Sequence, residues 1–201
     1  MNKQIFSRLM IVSFFVMATF SILIPPASAQ DGNSNEKPKA SIQPLLTFSD
    51  RAVIPGGGST LVRNSEGVYM SLHSAELSPD TVVTAWWVFF NNPKKCATSP
   101  CSVADLSNPE VQSSLVNATG RVVGPDGTAD FGAFKAIGDT TGAFTGPGLL
   151  NSKKAEIHLV VRTHGPALLD NPELLRQQLS MFMGGCPPNT CANIQVSIHQ
   201  P

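Results

Sequence analysis

TVVTAWWVFFN, residues 81–91, is the stretch that decides the fold of this chain. Apolar side chains occupy both parities of the run, whereas a strand with one solvent face alternates apolar and polar residues. The run therefore predicts a strand in the middle of a sheet, buried on both faces. One predicted face carries Val82, Trp86, Val88 and Phe90, and the other carries Val83, Ala85, Trp87 and Phe89.

Two adjacent tryptophans, Trp86 and Trp87, lie within this run. An aromatic pair can form a platform for a ligand, but large rings inside a continuous apolar run are more often packed in the core. Core packing is therefore the favoured interpretation, and a ligand platform is the alternative.

A second strand signal is KAEIHLVVRTHG, residues 154–165. Shorter alternating segments at residues 68–72 and 194–198 predict two more strands. Within residues 154–165, one face carries Ile157, Leu159 and Val161, and the other carries His158, Val160, Arg162 and His164.

Turn and helix signals separate the predicted strands. GPDG at residues 124–127 is a strong turn signal, so the segments on its two sides are expected to form a hairpin. Asn-Pro-Glu occurs at residues 108–110 and 171–173 and predicts two helix starts, with Asn as the cap and Pro in the first turn. The second helix is expected to run through Phe182, to end at Gly184-Gly185, and to cover one apolar face of residues 81–91.

These segments predict a mainly β protein, an antiparallel Ig-like β-sandwich with one or two short helices. The single domain is expected at residues 41–201, preceded by a polar, flexible leader at residues 30–40.

The first 29 residues have the pattern of a cleavable signal peptide. Basic residues precede an apolar run, and Ala27-Ser28-Ala29 fits the small-x-small cleavage pattern, so cleavage is expected between Ala29 and Gln30. A retained N-terminal anchor is the alternative, although the apolar run is short for a bilayer span. The protein is therefore expected to be secreted or periplasmic, with no membrane span after cleavage.

The charge of the remaining chain is slightly negative. Loss of Lys3 and Arg8 lowers the Lys+Arg count from 14 to 12 against 14 Asp+Glu, a formal charge of −2. No basic stripe remains to neutralise a row of phosphates, which argues against a nucleic-acid partner.

The four cysteines form two pairs with identical spacing, CATSPC and CPPNTC. In an exported chain they predict disulfides, and the local pairs Cys96–Cys101 and Cys186–Cys191 are favoured among three connectivities. A four-cysteine zinc site and a thiol redox pair are the alternatives.

The sequence lacks the common catalytic motifs, so a non-catalytic interaction or structural role is the first functional expectation. Histidines supply the alternative, a copper or zinc site or a copper redox enzyme. A regular strand places His158 and His164 about 20 Å apart, so one of them would need a partner from another strand. The candidate ligands are His73, His158, His164 and His199.

Three segments resemble a family of secreted bacterial proteins with no established function: residues 70–93, 124–134 and 146–166. The order of strands and turns is also similar to CHRD domains, the β-sandwich modules first noted in chordin. Those modules carry an H-I-H element where this chain has Glu156-Ile157-His158, which leaves one imidazole. The resemblance implies a β-sandwich and an extracytoplasmic location, and it implies no reaction.

Overall fold

The computed structural model of the protein describes residues 37–201, which form a nine-stranded antiparallel sheet with one α-helix. The predicted signal peptide, its cleavage position and residues 30–36 of the predicted leader lie outside this range. In chain order the elements are β1 Lys39–Thr47, β2 Val53–Arg63, β3 Gly67–Ser74, β4 Thr81–Phe90, β5 Ser113–Val122, β6 Ala129–Ala136, β7 Ala143–Thr145, β8 Glu156–Pro166, α1 Pro172–Ser180 and β9 Ala192–His199, with short 3₁₀ segments at Pro93–Lys95 and Val103–Ser107.

The strands form one continuous sheet in the order β6-β3-β2-β1-β9-β8-β4-β5-β7, which curls into a half-barrel. The predicted mainly β, antiparallel character is confirmed, whereas the two-sheet sandwich is not. Bulges interrupt the ladders near Leu46, Trp86 and Arg162, and bulges increase the local twist that bends a sheet. The first strand begins at Lys39, inside the segment predicted as leader.

Strand β4 is buried on both faces, as its composition predicts. Its odd-numbered side chains lie in the core inside the curl, which also includes Ile157, Leu159 and Val161 of β8. Trp86, Val88 and Phe90 belong to a second apolar cluster on the outer face of the sheet. Each face needs its own cover, the inner one from the curled sheet and the outer one from turns and α1.

The GPDG turn does not join a hairpin. The strand that follows it, β6, pairs with β3 along its whole length, whereas β5 lies between β4 and β7. β7 pairs only with Leu115 and Val116 of β5, so β6 joins β3 although, within the described residues, the end of β5 next to the turn has no strand on that edge. The Gly127 carbonyl accepts a hydrogen bond from Leu77 N at 2.9 Å. The turn carries the chain from one side of the curl to the other, so the hairpin prediction is wrong.

Only the second predicted helix forms. Asn171 caps α1 by accepting from Leu174 N at 3.1 Å, and the helix ends at Ser180. Residues 109–112 form a turn instead of a helix, because Gln112 has a φ of 54° and redirects the chain into β5. Within residues 37–201, α1 at nine residues is too short to cross a bilayer, and no other segment offers a spanning helix.

Helix α1 is fixed to the sheet by a polar anchor and by a glycine. The buried Gln178 donates to the carbonyls of His164 and Pro166, at 3.1 and 2.9 Å, and accepts from Leu168 N. At Gly120 of β5, an added Cβ would collide with the backbone carbonyl of Leu179. The close approach of α1 to β5 therefore requires glycine at position 120.

We predict that Gly120→Ala destabilises the protein by about 2 kcal/mol, because the methyl group forces α1 away from the sheet. Urea unfolding of both forms measures the change. Gly58→Ala is the matched control, since an added Cβ there meets only an ordinary contact at 3.5 Å. Equal stability of the Gly120 variant and the wild type would show that α1 is not held at this distance.

Candidate functional site

A solvent-open cavity of about 180 Å³ lies on the outer face of the sheet, above β4 and β8. Its floor is apolar and comes from these two central strands. Its walls come from three separate segments: the β1–β2 turn, the loop after Cys101 and the segment after α1. The described side chains that line it are Phe48, Arg51, Trp86, Val88, Phe90, Cys101, Ser102, Val103, Leu106, Leu115, His158, Val160, Phe182 and Asn193.

Phe182 forms one wall of the cavity and is held from three sides. The guanidinium of Arg162 lies 4.0 Å from its ring centroid, and the Trp86 ring meets it edge-on at 5.2 Å. Phe144 stacks on it at 4.8 Å. Aromatic and cation–π contacts of this kind fix the plane of the ring, so this wall is preformed.

The loop that forms the opposite wall is closed by a disulfide. The Cα atoms of Cys96 and Cys101 are 5.4 Å apart, and those of Cys186 and Cys191 are 6.0 Å apart, so both predicted pairs lie at disulfide distance. Asp105 further fixes the first loop. Hydrogen bonds from Ala97 N and Ser102 N hold the pKa of Asp105 below its usual value.

His158 is the buried polar group in the cavity wall, with 6% of its surface exposed. Its Nε2 lies 2.7 Å from Oε1 of Glu156, which also accepts from Cys101 N at 2.7 Å. No residue in the range 37–201 hydrogen-bonds to Nδ1 of His158. Because the Glu156 carboxylate accepts from Nε2, Nδ1 is the ring nitrogen left for a ligand.

Arg51 and Asn193 are two further polar residues of the cavity lining, on the β1–β2 turn and on β9. The β1–β2 turn is fixed beside β9 by a bond of 2.8 Å from Phe48 N to the Ile194 carbonyl, and the Arg51 guanidinium lies 5.2 Å from the Phe48 ring centroid. Asn193 Oδ1 accepts from Arg162 at 2.9 Å. Arg51 has no carboxylate partner within the described range.

The four candidate metal-binding histidines lie in separate environments. His158 and His199 are on opposite faces of the sheet, because His199 pairs with Ile157 and points into the curl. His73 is exposed on β3 and lies 2.7 Å from the Asp130 carboxylate. His164 is buried beside α1. The structure does not bring these four imidazoles together into one site.

His199 is fully buried between two serines, with Ser41 Oγ and Ser59 Oγ each 2.8 Å from a ring nitrogen. Burial lowers its pKa to about 4, and the positive charge of Arg63 acts in the same direction. His199 is therefore neutral at neutral pH and serves as a structural hydrogen-bonding group.

His164 contacts the second cysteine pair. Its Nδ1 lies 2.9 Å from the Gly184 carbonyl, which can only accept, and 3.4 Å from Cys191 Sγ. Burial is the main cause of its lowered pKa. Among the described residues, His164, Cys186 and Cys191 are the one group of three potential metal ligands, within 4.8 Å of one another.

Comparisons with protein-family models, curated protein sequences and solved structures find no match to this chain. The function is therefore inferred from the chemistry of the site.

Sequence reasoning identified part of this site. It singled out His158 and considered Trp86 as a ligand platform, but it missed Phe48, Arg51 and Asn193, which reach the cavity from distant segments. Glu156 and His158 are two residues apart on one strand face, so their contact could have been predicted from the sequence alone.

We predict that the buried His199 makes folding stability fall as the pH is lowered from 6.5 to 4. In the unfolded chain His199 has an ordinary pKa of 6.5 and is protonated in this range, whereas in the folded state it stays neutral down to about pH 4. The folding free energy lost by this difference reaches about 3 kcal/mol near pH 4. His199→Gln should flatten this part of the stability profile, measured by urea unfolding at several pH values.

The matched control for this measurement is Ser71→Gln, which introduces the same amide at an exposed position without a titratable group. Its stability should follow the wild-type profile between pH 6.5 and 4. A His199 variant that loses as much stability as the wild type over this interval would contradict the assignment.

Proposed function

We propose that this protein is an exported, non-catalytic binding protein that holds a small ring-containing molecule in the outer-face cavity. The observation that carries the proposal is an aromatic-lined, solvent-open cavity whose wall contains a buried histidine with an unbonded ring nitrogen. A largely apolar pocket with a few polar groups is the usual form of a small-molecule site.

The size of the cavity limits its occupant. A protein cavity of about 150 Å³ can hold benzene, so a volume of about 180 Å³ suits one six-membered ring with one or two small substituents. A partner helix is about 10 Å wide and would need a far larger groove. A small molecule therefore fits the cavity better than a segment of a partner protein.

The hydrogen bonding of His158 indicates where a polar substituent would bind. The Glu156 carboxylate accepts from Nε2, so in the neutral imidazole Nδ1 carries a lone pair. The carboxylate also fixes the orientation of the imidazole. We therefore expect the ligand to present a hydroxyl or N–H donor to this nitrogen.

Export is supported by two features. The pattern of residues 1–29 is that of a signal peptide. The two cysteine pairs at disulfide distance suit an oxidising compartment, where disulfides form and persist.

We predict that 4-methylphenol binds the purified protein, raises its Tm by about 5 °C at saturation, and changes the fluorescence of Trp86 in the cavity wall. Toluene, which lacks the hydroxyl donor, should bind more weakly. Isothermal titration calorimetry gives both affinities.

Val160→Phe should abolish this binding, because the added ring occupies the floor of the cavity. Val53→Phe is the matched control, since Val53 is 64% exposed and lies outside the cavity lining. The proposal fails if the wild type binds neither compound, or if the Val160 variant binds both as the wild type does.

One observation favours a second candidate function, the binding of a thiophilic metal ion by His164, Cys186 and Cys191. In the disulfide form the two sulfurs are bonded to each other. A dithiol reductant must deliver two electrons and two protons to this bond, after which the two thiols lose their protons on binding Zn²⁺. The candidate site therefore depends on reduction.

We predict that one Zn²⁺ is retained per chain after reduction and gel filtration, and none before reduction, as measured by elemental analysis. His164→Ala should weaken the retention, whereas His73→Ala should leave it unchanged. The metal hypothesis would be excluded by a reduced protein that elutes without zinc.

A further inference from the structure

We propose that the ligand of the outer-face cavity carries a carboxylate, which Arg51 and Asn193 hold at the cavity mouth. This inference rests on the binding function proposed above and adds the charge of the ligand. The natural ligand class is then a small hydroxylated ring acid, with its hydroxyl toward His158 and its acid group toward Arg51.

The first support is the charge of the cavity lining. Among the described residues that line it, Arg51 is a permanent cation and none is an aspartate or glutamate. A second guanidinium, Arg162, lies directly behind this end of the cavity, against the ring of Phe182. Two cations without a facing carboxylate create a positive potential at the mouth, which attracts an anion.

Arg162 is itself bound only to uncharged groups. It is buried, with 6% of its surface exposed, and it donates to the Phe182 carbonyl at 2.8 Å and to Asn193 Oδ1 at 2.9 Å. Its remaining contact is with Met183 Sδ at 3.6 Å. The positive charge of this buried guanidinium is therefore not neutralised by a carboxylate among residues 37–201.

The hydrogen bond from Arg162 to Asn193 Oδ1 leaves the N–H donors of Asn193 available. Because Asn193 Oδ1 accepts from Arg162, the amide is oriented with Nδ2 as its unused group. An amide nitrogen of this kind can only donate. Asn193 therefore offers N–H groups, and not a carbonyl oxygen, to a ligand at the cavity mouth.

The carboxylate closest in sequence to Arg51 is already engaged. Asp50 accepts from the hydroxyl of Thr47 and from Ala52 N, and these bonds close the β1–β2 turn. The hydrogen bond from Thr47 is the largest cause of the lowered pKa of Asp50. Asp50 therefore stabilises the β1–β2 turn and does not pair with Arg51. The Arg51 guanidinium remains without a carboxylate partner in the described structure.

The two polar ends of the cavity are well separated. Asn193 pairs with Arg162 on β8, four residues from His158, which corresponds to about 13 Å along the strand. Arg51, on the turn fixed beside Asn193, lines one end of the cavity, while His158 lies near the other. A ring with substituents at opposite positions can therefore contact both ends.

The test compares 4-hydroxybenzoate with its uncharged isostere 4-hydroxybenzamide by calorimetry at pH 8 and low salt. We expect the wild type to bind the carboxylate about tenfold more tightly, the scale of a charge-assisted hydrogen bond at a partly solvated position. Arg51→Gln should lower the affinity for the carboxylate to about that for the amide, and Arg51→Lys should retain part of the preference for the carboxylate. Arg121→Gln, an exposed arginine outside the cavity lining, should bind both compounds as the wild type does.

The outcomes separate the two proposals. Equal binding of acid and amide by the wild type, or a preference that survives Arg51→Gln, overturns the carboxylate proposal and leaves the binding function intact. If the acid, the amide and 4-methylphenol all fail to bind, both proposals fall.

Discussion

A strand that is apolar on both faces must be covered on both faces, and the rest of this structure follows from that requirement. The odd-numbered side chains of β4 are covered by the curl of the sheet itself, which brings β2, β3 and β6 over them. The even-numbered side chains face away from the curl and need a second cover. At about 25 cal/mol per Å² of apolar surface, leaving aromatic rings such as Trp86 and Phe90 in water would cost several kcal/mol.

The outer cover is assembled from pieces because the chain supplies no second sheet there. The β1–β2 turn, the disulfide-closed loop and α1 with the segment after it meet above β4 from three directions. Each piece has its own bond to the sheet: Cys101 N of the loop donates to Glu156, Gln178 of the helix donates to the His164 carbonyl, and Phe48 N of the turn donates to the Ile194 carbonyl. Rigid pieces that approach from different directions do not close completely over the apolar floor, and the gap between them is the cavity.

Much of the fold was predictable because alternate residues of a strand face opposite sides of the sheet, so the positions of apolar residues show which sides are buried. The alternation within β4 and β8, the helix start at Asn171 and the two local cysteine pairs are all sequence-local features, and the structure has them as predicted. The curl was not predictable, since a sandwich and a half-barrel need the same alternation of inner and outer residues. The failed hairpin has a related cause. A turn motif specifies a change of direction, but it cannot specify the strand with which the next segment pairs, which here is β3.

In the candidate site, too, the contacts between neighbours in sequence were predictable and the long-range contacts were not. The contact between Glu156 and His158 is local, whereas the other polar residues of the cavity come together only through the sheet order. Arg51 reaches the cavity because β1 pairs with β9 through Leu46 and Thr47, which places the β1–β2 turn beside Asn193. Arg162 then orients Asn193 while holding Phe182, so one buried guanidinium fixes both an aromatic wall and a polar donor. A buried cation without a carboxylate partner is costly to fold. An anionic ligand at the cavity mouth would offset part of that cost, and this links the stability of the outer cover to the chemistry of the molecule it binds.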